Sequence, residues 1–228
     1  MGTCTPSRFP SKDATVTQFV PASNSREDAY RLLSACYYAP TSALREEGCC
    51  AALATLLAEL APQAAQQAGK AAQLLNQTPI EELLVEYSRL FLGPFKLVAP
   101  PYGSVWLDRA RTVMGNSTAQ VAAVYQTHGL HLADDFPELP DHIAVELEFL
   151  SYLAFQQRQA QTTGNQDQAT RLVTAQLGFI NEFLAPWLKP FCQAIIEDGE
   201  APFYMALAAC TAAFVAADSA ALQASADA

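Results

Sequence analysis

The residues best suited to chemistry lie between His128 and Glu148. His128 and His131 stand three apart, with Asp134 and Asp135 close behind. Two histidines at that spacing can share a metal ion on one helical face. Gly129 lies between them and ends the helical pattern, however, and no glutamate sits in an H-E-x-x-H frame, so a metal pair is disfavoured. The second group is Glu138-Leu139-Pro140-Asp141-His142, followed by Glu146 and Glu148. Asp141 is placed to cap a helix N-terminus, where a carboxylate accepts backbone N–H groups and suits the dipole. His142 falls in the first turn, where the same dipole disfavours the imidazolium. The pair could grip a cationic or donor-rich ligand, or be a plain cap beside an exposed histidine, and both readings stay open. The sequence has no P-loop, no G-x-G-x-x-G turn, no G-x-S-x-G elbow and no Cys–His signature, and nothing nominates a nucleophile.

A third constellation carries no acid or base. Residues Glu86 to Asp108 read EYSRLFLGPFKLVAPPYGSVWLD. A helical pattern stops at Gly93-Pro94 and passes into aromatics, prolines and glycines with almost no charge. Such a segment is poor at regular structure and costly to leave in water. It is either packed in a core or kept as a shaped, adhesive surface. As a surface it forms a groove wall, with Tyr87, Leu90 and Phe91 from the helix and Phe95, Pro101, Tyr102 and Trp106 from the loop. Its prolines hold it in shape, so little ordering entropy is lost on binding. As a core, the same residues are aromatics under a long loop.

The elements that must position these residues are helices. Ser25 caps a helix with Asp28 at its third position, and Ala29, Leu32, Leu33, Cys36 and Tyr37 form its stripe until Pro40. Cys49 to Leu60 repeats the pattern and Pro62 breaks it. Ala64 to Leu75 is a weaker alanine–glutamine helix. Thr78-Pro79-Ile80-Glu81 reads as a capping box with proline at the first helical position. Leu83, Leu84, Tyr87, Leu90 and Phe91 follow on one face, and Gly93 closes the helix. Ser117 opens another helix that ends at Gly129, with Val121, Val124 and Tyr125 inward. After a loop from Leu130 to Pro140, a long helix covers Asp141 to Thr163. Further helices span Gln166 to Leu184, stopped by Pro186, then Trp187 to Glu197 and Pro202 to about Leu222. No window alternates with period two and no 30–45-residue repeat is visible. The expected fold is a single all-α bundle of nine or ten helices over residues 23–222, with a loose tail at 1–22 and a short one at 223–228.

Composition agrees. The 228 residues are 51% hydrophobic and 16% charged, enough for one sizeable core. Alanine and leucine, which favour helices, dominate. The net charge of -10 argues against nucleic acid and anionic membrane as partners and suits a basic peptide. Six cysteines, Cys4, Cys36, Cys49, Cys50, Cys192 and Cys210, include no C-x-x-C pair and read as reduced thiols in apolar helix faces. The polar N-terminus has no secretory h-region, and Pro6 spoils a myristoylation signal. The longest apolar run, Met205 to Ala217, is short and alanine-rich for a bilayer span. These features place the protein in the cytoplasm.

Taken together, the chain resembles the TorD/DmsD family of cytoplasmic redox-enzyme maturation chaperones. The residues that carry the resemblance are Tyr87, Leu90-Phe91, Gly93-Pro94, the run Pro100-Pro101-Tyr102-Gly103-Ser104-Val105-Trp106-Leu107-Asp108, and Pro140-Asp141-His142. The helix order agrees over about residues 25 to 220. The resemblance implies an all-helical fold, no catalysis and no cofactor. It implies binding of the twin-arginine signal peptide and apoenzyme of a molybdenum-containing oxidoreductase, of the dimethyl sulfoxide or trimethylamine N-oxide reductase type, until the molybdenum cofactor is inserted. It assigns the leader-binding surface to Tyr87, Leu90, Phe91, Phe95, Pro101, Tyr102, Trp106, Gly115, Pro140, Asp141 and His142. The dimethyl sulfoxide reductase chaperones carry tryptophan where this chain has Tyr87, Phe95 and Tyr102, which leaves the client open. Two other readings remain: a chaperone acting on the enzyme body, as for nitrate reductase, or a small helical metalloenzyme using His128, His131, Asp134 and His142. A monomer and a domain-swapped dimer fit equally.

Overall fold

The computed structural model describes residues 25–93, 97–108 and 112–227. Eleven α-helical stretches appear among them: α1 (Ser25–Cys36), α2 (Ser42–Glu46), α3 (Cys49–Leu60), α4 (Pro62–Gln77), α5 (Ile80–Tyr87), α6 (Gly103–Leu107), α7 (Asn116–Thr127), α8 (Ile143–Thr162), α9 (Gln166–Phe179), α10 (Ala185–Asp198) and α11 (Pro202–Ala226). Two π-helical turns, Ser88–Leu92 and Ile180–Leu184, extend α5 and join α9 to α10. Extended pairing among the described residues is confined to one isolated antiparallel bridge, Tyr102 with His142. The all-α expectation holds.

Helix α11 is the centre. It packs on α4, α9 and α10 and touches α1 and α3. At 25 residues and with its apolar composition it is long enough to cross a membrane, but half of that apolar window is buried inside the protein. Phe203, Leu207, Cys210, Phe214 and Leu222 fill the core. Beside it, α1 and α8 run antiparallel. Glu27 pairs with Arg158 at one end, Ser34 donates to Glu148 midway, and Tyr38 stacks on His142 at the other. The single apolar cluster that results joins α1, α3, α4, α8, α10 and α11.

Several local expectations change. Pro186 does not end a helix. The helix runs on through the π turn Ile180–Leu184 into α10, and the widened turn just before Pro186 accommodates its missing N–H. The capping box at Thr78 is not made: α5 starts at Ile80 with Pro79 at the cap, no side chain caps it, and the Thr78 carbonyl accepts from Arg45 instead. Two short helices, α2 and α6, were not anticipated, and α11 continues beyond Leu222 to Ala226. The tail at 1–22 lies outside the described residues. Five cysteines are free and buried, with Cys36 and Cys50 sulfurs 3.8 Å apart, whereas Cys4 lies outside the described residues.

Candidate functional site

The loop after α5 and the loop before α8 are laced together. Gly103 N–H donates to the Asp141 carbonyl at 2.8 Å, and Ile143 N–H donates to the Pro101 carbonyl at 2.8 Å. Asp141 then reaches across with its side chain: Oδ2 accepts the Ser104 N–H at 2.7 Å. Asp141 therefore caps α6, not its own helix as the sequence suggested. The carboxylate satisfies a first-turn N–H of a five-residue helix whose own N-cap, Tyr102, offers no side-chain acceptor. A local pattern cannot show a cap supplied from 37 residues away.

His142 takes the place expected of Asp141. It is the N-cap of α8, with Nδ1 accepting the Ala144 N–H at 3.2 Å. It is 1% exposed, stacked on Tyr38 at 5.9 Å and meeting Tyr102 edge-on at 5.1 Å. Its Nε2 lies 3.9 Å from Glu138, which also accepts from the Tyr102 hydroxyl at 2.8 Å. Burial pushes the imidazole down to about 3. It is neutral, as an acceptor at Nδ1 must be. The expected exposed histidine of little structural weight is thus a buried cap inside an aromatic sandwich.

Beneath the bridge lies a second buried group. Glu146, one turn after His142 on α8, is fully buried and accepts from the Trp187 indole N–H at 3.3 Å. Burial first, and the nearby Asp141 carboxylate second, raise its carboxyl well above the ordinary 4.5. Gly103 is required here by closeness: a Cβ would stand 3.0 Å from Trp187 Nε1 and 3.4 Å from Glu146 Oε1. Tyr125 of α7 closes the assembly from the side by donating to the Pro140 carbonyl at 2.8 Å.

The aromatic segment divides by depth. Tyr87, Leu90 and Phe91 are core residues, 5%, 0% and 2% exposed, packed on Tyr37, Phe191 and Tyr204. Of the two readings, the core one applies to them. Pro101 is buried too, while Tyr102, Trp106 and Pro140 are half-buried. Trp106 donates to the Pro100 carbonyl at 2.8 Å, which pins the loop to itself. Gly115 is half-buried, and a Cβ there would run into the Asp108 carboxylate, which accepts from the Ser117 N–H and hydroxyl at the start of α7. Phe95 lies outside the described residues. Leu84, expected on the same apolar face, instead faces solvent, and with it a set the sequence did not single out: Val85, Leu92, Leu97, Val113 and Met114, with Leu92 60% and Met114 73% exposed. Met114 also has a left-handed backbone, φ 62°.

The histidines of the metal reading do not converge. His128 caps the end of α7 and packs on Phe149, His131 and Asp134 are exposed, and His142 is buried in the sandwich. Among the described residues no three His, Cys, Asp or Glu side chains are placed to hold a metal. The residues that sequence reasoning missed are Tyr38, Ser104, Tyr125 and Trp187. They come from four separate stretches of the chain, so no spacing in the sequence joins them to His142.

Residues 47–193, well over half of the chain, match the family model described as nitrate reductase delta subunit. The chain belongs to that family. It is 34% identical over 126 residues to the chaperone protein TorD of Aliivibrio salmonicida (strain LFI1238), covering 55% of this chain and 57% of that protein. It is 31% identical over 127 residues to the Tat proofreading chaperone DmsD of Salmonella typhi, covering 56% of this chain and 55% of that one. The matched segments thus span a little over half the length of these relatives. The crystal structure of a redox enzyme maturation protein from Archaeoglobus fulgidus superposes with a TM-score of 0.52 over 88% of this chain and 98% of that chain, at 23% identity, and shares the fold. The resemblance carried by Leu90-Phe91, Gly93-Pro94 and Pro140-Asp141-His142 is borne out at the level of the family.

Proposed function

We propose that this protein is a non-catalytic cytoplasmic chaperone that binds the twin-arginine signal peptide of a molybdenum-containing oxidoreductase and holds the apoenzyme until its cofactor is in place. The observation that carries this reading is a contrast of surfaces. In the segments on either side of the loop that the Tyr102–His142 bridge ties to α8, Leu92, Leu97, Val113 and Met114 stay in water on a protein of net charge -10. An exposed apolar set on an acidic body fits a ligand with paired cations beside an apolar stretch, which is what a twin-arginine leader offers. The names of the relatives, TorD chaperones and a Tat proofreading chaperone, point to the same ligand class.

The proposed leader surface is built in two layers. Tyr102, Trp106 and Pro140 contact the peptide beside the exposed apolar set. Tyr87, Leu90, Phe91, Pro101, Gly115, Asp141 and His142 hold that layer in shape from below. Isothermal titration of a twin-arginine leader peptide tests it. Binding should weaken at raised salt and on changing both arginines to glutamine. No binding of either peptide in either salt would overturn the leader reading and leave a chaperone of the enzyme body.

A further inference from the structure

Three buried polar atoms with no hydrogen-bond partner cluster at the bridge: Ser104 Oγ, Asp141 Oδ1 and Glu146 Oε1. All three residues are 0% exposed. Four carboxyl oxygens and one hydroxyl meet here. Asp141 Oδ2 is satisfied by the Ser104 amide and Glu146 Oε2 by Trp187. Oδ1 and Oε1 have no donor within hydrogen-bond reach, and the Ser104 hydroxyl, itself without a partner, serves neither. Two buried carboxylates that close cannot both ionise without a cation to offset them. Among the described residues, the groups that face Glu146 are Asp141, Ser104 of α6, Tyr125 of α7 and Trp187 of α10, and none is a cation.

We infer that Glu146 is a positioning residue for the loop Pro101–Ser104: it is held as the neutral acid, donates a hydrogen bond through its retained O–H to Asp141 Oδ1, and so fixes the carboxyl that caps α6. Chain geometry makes the clamp tight. Asp141 already binds the loop twice, through its carbonyl to Gly103 and through Oδ2 to Ser104. A proton bond from Glu146 locks the rotation of that carboxyl, and Trp187 locks Glu146 in turn. The loop bearing Tyr102 and Trp106 is then anchored on α8 and α10 together. The proton is a structural part of the surface. Raising the pH through the folded value of Glu146 removes it and loosens the loop, while below the ordinary 4.5 its contribution is complete. The consequence for leader affinity rests on the function proposed above; the clamp does not.

Glutamine copies a protonated glutamate, with one donor toward Asp141 and one acceptor toward Trp187. The test compares wild type, Glu146→Gln and Glu146→Ala by three measurements. Difference infrared spectroscopy should show a protonated-carboxyl band in wild type that is missing from both variants. Hydrogen exchange at the Gly103 and Ser104 amides should be slow in wild type and Glu146→Gln, and about tenfold faster in Glu146→Ala. In wild type the protection of these amides, taken relative to their intrinsic base-catalysed exchange, should fall at high pH, and in Glu146→Gln it should not. Leader affinity should follow the same order. A folded Glu146→Gln with fast loop exchange, or no wild-type carboxyl band, overturns the inference. So does a Glu146→Ala variant with unchanged exchange. Loop exchange that follows the expected order in a protein that binds no leader peptide keeps the clamp and overturns the leader reading alone.

Discussion

The antiparallel pair α1 and α8 carries a buried polar group at each end, and the two differ in kind. At the far end Arg26 binds both Asp218 oxygens, Gln157 and Gln176, while Tyr30 donates to Asp218 at 2.8 Å. Gln176 donates in turn to Gln157 at 2.8 Å. Four helices, α1, α8, α9 and α11, are tied together, and none of these residues leaves a buried side-chain oxygen or nitrogen orphaned. At the near end His142, Asp141, Glu146 and Ser104 form a group with three orphaned atoms and displaced ionisations. A satisfied network fixes a fold, whereas an under-satisfied one is where local rules yield to another demand. The far end is the lock of the bundle. The near end is where the proposed ligand surface is held.

The largest effect should come from breaking the lock. Asp218→Ala leaves the Arg26 guanidinium mostly buried with its charge uncompensated and should cost ~3–5 kcal/mol in urea unfolding. Exchange at the Ser104 amide, at the other end of α8, should not respond beyond the change in global stability. A loss below ~1 kcal/mol would make the two ends equivalent and dissolve the contrast.

Acid should attack the near end next. The folded value of His142 is depressed to about 3 from 6.5, so its contribution is complete above 6.5 and is lost as the pH falls from there toward 3. The slope from this group alone approaches ~1.4 kcal/mol per pH unit. Protonation removes the Nδ1 acceptor that caps α8. His142→Asn, which can still cap, should flatten the acid limb of a stability–pH curve by that amount. An unchanged acid limb would show that His142 is not the sensitive group.

Asp141→Ala should cost ~1–3 kcal/mol, because the Ser104 amide is left buried without its acceptor. Leader affinity should fall along with it, measurable by calorimetry on the folded variant. The smallest effect on stability belongs to the exposed set. Leu92→Ser and Met114→Ser should each stay within ~0.5 kcal/mol of wild type in a thermal melt. If the surface binds as proposed, leader affinity nonetheless drops severalfold. Unchanged affinity in both would move the contact away from these loops.

The sequence made the helices legible wherever the signal was local. The stripe Ala29, Leu32, Leu33, Cys36, Tyr37 and the breaks at Gly129 and Gly164 stand where the structure has them. The aromatic segment was found but not its depth, because periodicity places Leu90 and Phe91 on one face without saying what covers that face. Asp141 and His142 were found but their tasks were exchanged. Which of two adjacent polar residues caps a helix depends on the Tyr102 bridge, a contact between segments about forty residues apart. Trp187 and Ser104 were invisible as site residues for the same reason. The exposed Leu92 and Met114 flank short loops, and solvent exposure is a property of the assembled surface rather than of any run of letters.

The two π turns have a consequence for how this chain tolerates change in length. A π turn is an α-helix with one residue too many, so removing a single residue between Ile180 and Leu184 would leave a plain helix, well bonded and continuous. The wide turn absorbs that residue, so the deletion would leave α10 close to its present phase and the Trp187 indole still facing Glu146. A deletion elsewhere in α9 or α10 has no such slack and would turn everything downstream by about 100°. The π turn is thus the point in this helix where a change of one residue in length should be tolerated best.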